Sequence, residues 1–214
     1  EDKVSLWFGD IPAGDAIQRT LPVEPKQTAA RFFETAANVP LDALFKTYHM
    51  PGRFAEGFFA ADLLADLLGR GKSSRLYQKL VHETPIFNSL SASCTSSLDP
   101  GLLLIRGFVN PGISLTEANR AVEEVLEELR DGRVGEDELE KVKNQAETAL
   151  VFSEVELLSR SMNIAFAANA GNVDWVNQDK VMIHETSAES ILQAGSEVLS
   201  PMNCSTLFYR KNSA

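Results

Sequence analysis

Residues 69–80 of this chain read GRGKSSRLYQKL. Before them, apolar residues at helical spacing predict a helix over residues 54–68, and its two apolar flanks indicate packing against a sheet. After the glycines, Ser73 or Ser74 can cap a second helix, and Pro85 cannot continue that helix. The stretch therefore predicts a turn between two helices, followed by a strand. The glycine-rich loop could alternatively hold an anion at the start of the second helix.

Strand-forming residues flank this unit on both sides. Segments 31–35 and 41–49 are rich in strand formers and predict a pair of strands separated by a turn. Segments 86–96 and 102–109 predict a β-hairpin whose second strand is central in the sheet. A further strand is expected over residues 204–209.

Between the hairpin and the last strand, the pattern is helical. Ser114 and Glu117 form a capping box, and the helix that they open is expected to end at Gly132. A longer helical pattern covers residues 136–170, where one straight rod would reach about 50 Å, so a bend is expected near residues 152–154. Two shorter helices are predicted over residues 174–184 and 187–200. This order predicts an α+β fold, a two-layer sandwich with a mostly antiparallel sheet and helices on one face.

The first 28 residues differ from the rest of the chain. Residues 4–8 are consistent with the last turn of a helix that Gly9 ends. Prolines and glycines then punctuate residues 10–28, where a linker is expected because proline cannot donate to a helix or a sheet. We therefore assign residues 1–28 to the tail of a preceding domain plus a linker, and residues 29–214 to one α+β domain.

The composition is that of an ordinary globular protein, with 44% apolar and 23% charged residues. The net charge of −10 argues against a nucleic-acid partner, because phosphate binding needs clustered Lys and Arg. No apolar run approaches the roughly 20 residues of a membrane helix. Cys94 and Cys204 are expected to be small core residues rather than a disulfide. The acidic runs at residues 123–128 and 136–138 are interpreted as a solvated helix face.

No complete catalytic constellation is visible in the sequence. A helical zinc site needs ligands three or four residues apart, and the three histidines, His49, His82 and His184, are isolated from one another. His82 and Glu83 begin like H-E-x-x-H, but Ile86 stands where the second histidine should be. We therefore predict no catalytic residue and no metal ligand in this chain.

With these elements placed, the sequence resembles the C-terminal domain of the pitrilysin, insulinase and mitochondrial-processing-peptidase family of zinc metallopeptidases. The resemblance rests on residues 71–80 with the helix before them, Asp99-Pro100-Gly101, the helix from Ser114 and residues 136–143. It covers about residues 29–211, and residues 7–14 also resemble the end of the preceding domain in that family. The likeness favours a bacterial protein and leaves cytoplasm and periplasm open.

Members of that family are built from paired homologous halves that enclose a chamber. The resemblance implies that an H-x-x-E-H motif in the first half holds zinc, so zinc is expected in an N-terminal domain and no cofactor in this chain. In many members a later half supplies an arginine and a tyrosine to the substrate and the developing oxyanion. The matching positions here hold Val81 and Asn88, which implies that both of these side chains are lost.

The resemblance thus implies a non-catalytic C-terminal half of a zinc-dependent metalloendopeptidase, which walls the substrate chamber, mediates subunit association and is inactive alone. Val81, Phe87, Asn88 and Ser89 are the expected chamber-lining residues. The expected partners are a zinc-bearing N-terminal domain of the same polypeptide, a homologous partner subunit and a peptide substrate. The alternatives are an inactive relative that acts as a scaffold or peptide-binding subunit, and an unrelated α+β interaction domain.

Overall fold

The structure is a computed structural model that describes residues 1–12, 14–15, 22 and 24–212. The strands of the described ranges are β1 (Arg31–Ala37), β2 (Ala43–Met50), β3 (Phe87–Cys94), β4 (Gly101–Val109) and β5 (Cys204–Lys211). The helices are α1 (Asp2–Phe8), α2 (Phe58–Gly69), α3 (Arg75–Tyr77), α4 (Leu115–Asp131), α5 (Glu136–Val155), α6 (Leu157–Asn169), α7 (Trp175–Glu185) and α8 (Ala188–Val198). A π-helical turn (Gln78–Glu83) follows α3, and a 3-10 turn (Pro201–Asn203) precedes β5.

The five strands form one mixed sheet in the order β1-β5-β2-β4-β3. Three of the four neighbouring pairs are antiparallel, and β1 runs parallel to β5. The predicted hairpin of β3 and β4 is confirmed, with β4 inside the sheet. The predicted pairing of β1 with β2 is wrong, because β5 lies between them. The partner of both strands comes from more than 150 residues further along the chain, so a local turn pattern could not reveal it.

One face of the sheet carries the helices. Leu44 and Tyr48 on β2 and Leu103 and Ile105 on β4 are at most 1% exposed, in a core shared with α2, α4 and α8. Strand residues of opposite orientation remain half-exposed or exposed, as Phe108 does at 39%. The predicted α+β sandwich, with helices on one face of a mostly antiparallel sheet, is therefore confirmed.

The helices around the glycine-rich stretch begin differently from the prediction. α2 starts at Phe58 rather than near residue 54, because Gly57 has a φ of 82° at the N-cap, a conformation that glycine tolerates. Ser74 does occupy the N-cap of α3, but its hydroxyl donates to the carbonyl of Gly71 at 2.7 Å and makes no capping bond. The second helix is also only one α-helical turn, which continues as the π-helical turn.

The later helices follow the prediction more closely. The Ser114 hydroxyl accepts the amide of Glu117 at 3.1 Å, which confirms the cap, and α4 ends before Gly132. The expected bend in the long helical pattern is present at Glu156, two residues beyond the predicted range, where the extended backbone separates α5 from α6. α7 and α8 lie where they were predicted.

The acidic face of α4 is only partly a solvated face. Lys46 of β2 points into the helical layer with its side chain 2% exposed, and its Nζ lies 2.6 Å from a carboxylate oxygen of Glu123. The same ammonium donates to Asn119 Oδ1 and Thr206 Oγ1, both at 3.0 Å. Glu123 is therefore the counter-ion of a buried lysine, because a buried charge needs a partner.

The first part of the chain is described only in part. The predicted helical turn is confirmed as α1, whereas much of the predicted linker, residues 13, 16–21 and 23, lies outside the described residues. Gln27 is buried, and its amide donates to the carbonyl of Cys204 at 2.9 Å, which attaches the chain to β5 before β1 begins. The two cysteines are free, Cys204 buried and Cys94 half-buried. Within the described ranges, every helix is either too short or too polar to span a bilayer.

Candidate functional site

The four residues expected to line a chamber lie where the π-helical turn passes into β3. Val81 belongs to the turn, whereas Phe87, Asn88 and Ser89 begin the strand. Val81 is half-buried, Asn88 and Ser89 are exposed, and Phe87 is only 1% exposed. The structure therefore places all four in one short region, but Phe87 offers almost no surface to a ligand.

The backbone around Val81 is widened into a π-helix. The amide of Thr84 donates to the carbonyl of Lys79 at 3.0 Å, five residues earlier, and Leu80 anchors the turn in the core at 5% exposure. A single π-helical turn of this kind interrupts regular helix geometry and is frequently found at functional sites. Val81 thus occupies an unusual backbone position, although its own side chain has no polar group.

Asn88 also occupies an irregular position, a β-bulge in edge strand β3. Phe87 pairs with Val109 and Ser89 with Phe108, so that Asn88 has no partner residue on β4. A bulge leaves the extra residue unpaired and re-aims its side chain, and bulges are common beside active sites. Asn88 is exposed, so its amide group is accessible at this edge of the sheet.

Phe87 supports the bulge from within the core. A Cβ built on Gly107 of β4 would lie 2.5 Å from the Phe87 ring, closer than two carbon atoms can approach without displacement. Glycine at this position therefore leaves the space that the ring fills. Phe87, just before the bulge, is thus anchored in the core, while Asn88 itself faces solvent.

The glycine-rich stretch fixes α2 and α3 next to this edge strand. A Cβ on Gly69 would lie 1.9 Å from the backbone nitrogen of Ala92, so the end of α2 contacts β3 without an intervening side chain. Arg75 donates from Nε and Nη2 to the two carboxylate oxygens of Glu138, at 2.9 and 2.7 Å, which joins α3 to α5. Arg70, one of the two basic residues of the loop, pairs with Asp66 at 2.8 Å. These contacts give the stretch a structural role.

The three histidines lie in separate surroundings. His184 Nε2 lies 2.8 Å from Glu147, which also pairs with Lys180 at 2.6 Å. His49 lies 3.3 Å from Glu24, and His82 is exposed on the π-helical turn. Among the residues that the structure describes, no three His, Cys, Asp or Glu side chains are grouped as metal ligands would be.

Three groups on α2 and its neighbours, Asp62, Cys94 and Tyr48, have altered acid–base properties because they are wholly or partly buried. Burial, together with the nearby Asp66 carboxylate, raises the pKa of the Asp62 carboxyl to about 6. Burial likewise raises the pKa of the Cys94 thiol far above its ordinary value, and it raises the pKa of Tyr48. At neutral pH the thiol is protonated and a poor nucleophile, so Cys94 is suited to packing rather than catalysis.

The chain belongs to a family of non-catalytic peptidase domains. The sequence-family model described as the peptidase M16 inactive domain matches residues 1–146, which is more than half of the chain. This match confirms the family resemblance inferred from residues 71–80 and their neighbours. In this family the zinc belongs to the catalytic half.

Several named proteins are similar to this chain in sequence or in fold. The chain is 29% identical to the zinc protease PqqE of Helicobacter pylori over 121 residues, which is 56% of this chain and 27% of that protein. A solved protease from Helicobacter pylori superimposes with a TM-score of 0.90 at 20% identity, over 98% of this chain and 51% of that one. The peptidase M16 inactive domain from Pseudomonas fluorescens gives a TM-score of 0.70 at 16% identity, covering 95% of this chain and 47% of that one. The chain therefore spans about half or less of these bacterial relatives.

Two features of this region could not be found from sequence alone. The π-helical turn around Val81 and the bulge at Asn88 have no composition signal: the turn is defined by the Thr84–Lys79 hydrogen bond and the bulge by the register between β3 and β4. The buried Lys46 did carry a signal: it stands in the alternating apolar positions of β2, between Leu44 and Tyr48. A lysine at such a position predicts a buried counter-ion.

Proposed function

We propose that this chain is the non-catalytic half of a zinc metalloendopeptidase, where it forms one wall of the substrate chamber and associates with the zinc-bearing half. The observation that supports this most is the backbone at Val81 and Asn88. These are the positions implied for the lost arginine and tyrosine, and they lie on a π-helical turn and a β-bulge. Both irregularities are typical of functional sites. Both irregularities support a retained scaffold for such a site, in which the Val81 side chain has no polar group and Asn88 offers only a short amide.

Exposed apolar side chains support the association. Around the break between α5 and α6, Phe152 is 72% exposed, Val155 79% and Leu157 80%. Trp7 of α1 is 75% exposed. Large apolar patches on a protein surface mark interaction sites. In the proposed enzyme, the zinc-bearing half or a homologous subunit covers these residues.

Zinc content and cleavage of a peptide test the catalytic assignment. We expect the longer polypeptide that contains this chain to bind zinc and to cleave a quenched fluorescent peptide in a chelator-sensitive manner, alone or with its partner subunit. The present chain by itself should do neither. Chelator-sensitive cleavage by this chain alone would refute the proposal. If the longer polypeptide bound no zinc and cleaved no peptide, the result would instead favour an inactive scaffold or a peptide-binding subunit.

Two substitutions in β3 test the chamber wall in that active assembly. Asn88→Ala removes the exposed amide at the bulge, and we expect the KM for the peptide to rise about fivefold, the effect of one lost hydrogen bond. Ser93→Ala removes an exposed hydroxyl further along the same strand and should leave KM unchanged. Zinc content should stay the same in both variants. Equal KM values for Asn88→Ala and the unmodified protein would remove Asn88 from the chamber wall.

A further inference from the structure

A groove on the helical side of the molecule is lined by α7, α8 and the chain leading into α2. Its volume is about 880 Å³, which is within the range of pockets that hold small molecules or short peptide segments. None of the residues that line it belongs to the Val81–Ser89 region. The groove is therefore a separate candidate site, independent of the proposed peptidase function.

The floor of the groove is apolar and rigidly supported. Phe59 of α2, Trp175 and Met182 of α7 and Ala194 of α8 line it. Trp175 stacks on Phe54 with ring centroids 4.0 Å apart and an interplanar angle of 23°. Stacked aromatic rings lose little entropy when a ligand binds, because they are already fixed. The floor is thus prepared to accept apolar side chains.

The positive charge in the groove wall is already matched. Arg53 Nη2 lies 2.5 Å from Asp179 Oδ2, and the guanidinium carbon lies 4.9 Å from the ring centroids of Phe58 and Phe59. A guanidinium so placed is held by an ion pair and by two aromatic faces. Arg53 therefore does not provide a free cation for an anionic ligand.

The rim of the groove is acidic. Glu56, Glu185 and Glu197 line it and are exposed, and none of the three has an ion-pair partner among the residues that the structure describes. Since the charges of Arg53 and Asp179 neutralise each other, the rim contributes three negative charges without ion-pair partners around an apolar floor. The whole chain, at −10, adds to the attraction of a cationic partner.

We propose that this groove docks a basic amphipathic peptide segment of a partner protein. The apolar face of the segment lies on Trp175 and Met182, and its Lys or Arg side chains reach the carboxylates of the rim. This combination is the usual mode in which a groove between helices recognises an amphipathic helix. Charge complementarity selects basic over acidic segments and accelerates their association.

The fluorescence of Trp175 reports occupancy directly. The chain contains two tryptophans, so the Trp7→Phe variant leaves Trp175 as the only one. A synthetic 14-residue amphipathic helix of Leu and Lys should cause a saturable change in its emission, and the same peptide with Glu in place of Lys should not. The absence of a saturable change with the Lys peptide, or an equal change with the Glu peptide, would overturn the proposal.

Charge-matched variants separate docking from general attraction. Glu56→Gln, Glu185→Gln and Glu197→Gln together should weaken binding of the Lys peptide about tenfold, since each rim carboxylate contributes a modest screened interaction. All three side chains are exposed, and circular dichroism verifies that the variant is folded.

The control variant removes the same number of charges elsewhere. Glu83, Glu117 and Glu136 are exposed, take part in no described ion pair and lie outside the groove. Their combined replacement by Gln should change the dissociation constant by less than about twofold, because distant surface charges are largely screened. An equal loss of affinity in the rim and control variants would show attraction to net charge alone and would refute a specific site.

Discussion

The buried Lys46–Glu123 pair predicts an unequal response to removal of its two members. The Lys46 side chain is 2% exposed, whereas Glu123, on α4, is 32% exposed. Glu123→Ala therefore leaves an ammonium enclosed in the core with only two neutral acceptors, Asn119 and Thr206. Lys46→Met removes the enclosed charge itself and leaves a carboxylate that already reaches water.

The magnitudes follow from this difference in burial. Stranding a buried charge typically costs about 3–5 kcal/mol, and the two remaining acceptors place Glu123→Ala near the lower end, at about 3 kcal/mol. In Lys46→Met, the methionine fills the space of the lysine stem and Glu123 is rehydrated. The remaining cost is the lost donor to Asn119 and Thr206, about 1 kcal/mol. Glu123→Ala should thus be the less stable of the two variants.

Urea unfolding followed by circular dichroism measures both effects, with the free energy of unfolding obtained by linear extrapolation. Glu124→Ala is the matched control, because Glu124 is 63% exposed and lies 3.6 Å from Arg120 on the same helix. It should change stability by less than about 0.5 kcal/mol. The reasoning fails if Glu123→Ala costs no more than Glu124→Ala, or if Lys46→Met costs more than Glu123→Ala.

Four further substitutions test other parts of the fold by the same unfolding assay. The native pKa of Asp62, about 6, exceeds its ordinary 3.8, so its contribution to stability is full below pH 3.8 and is lost as the pH rises through 6. Asp62→Asn should therefore stabilise by about 1–2 kcal/mol at pH 7.5 and by little at pH 4; a gain independent of pH would contradict this. Gly69→Ala should cost about 3 kcal/mol through the clash with Ala92, whereas Gly71→Ala, at φ 78° in open space, should cost about 1 kcal/mol; equal costs would refute the clash. Ser114→Ala should cost about 1 kcal/mol by removing the α4 cap, and an unchanged stability would show that the cap is dispensable.

Much of the fold was predictable because its signals are local. The Ser114 cap, the apolar spacing of α4 and the bend near Glu156 are properties of neighbouring residues, and each was placed within two residues. The β3–β4 hairpin was predictable for the same reason, since one turn joins its strands. The cap at Ser74 was mistaken in its chemistry, because a serine hydroxyl can donate as well as accept.

The candidate site was predictable only in position. The family resemblance located Val81 and Asn88 by alignment with residues 71–80, and the lack of an arginine and a tyrosine at these positions is visible in the sequence itself. Their backbone conformation was not predictable, because the bulge depends on the register of β3 with β4 and the π-helical turn carries no local sequence signal. The enclosure of Phe87 depends on Gly107 across the strand pair, a contact that no local pattern records.

The sequence by itself thus determined which segments are helices or strands, the α+β class and the membership of a peptidase family whose zinc lies in another half. The segments and the fold class follow from periodicity and capping, whereas the family and its zinc-bearing half are what the resemblance of residues 71–80 and their neighbours implies. Only the tertiary structure decided that β5 separates β1 from β2, that Glu123 neutralises Lys46 and that an acidic groove opens between α7 and α8. Each of these joins residues far apart in the chain, and the free energy that selects them comes from burial and charge pairing after the elements have docked.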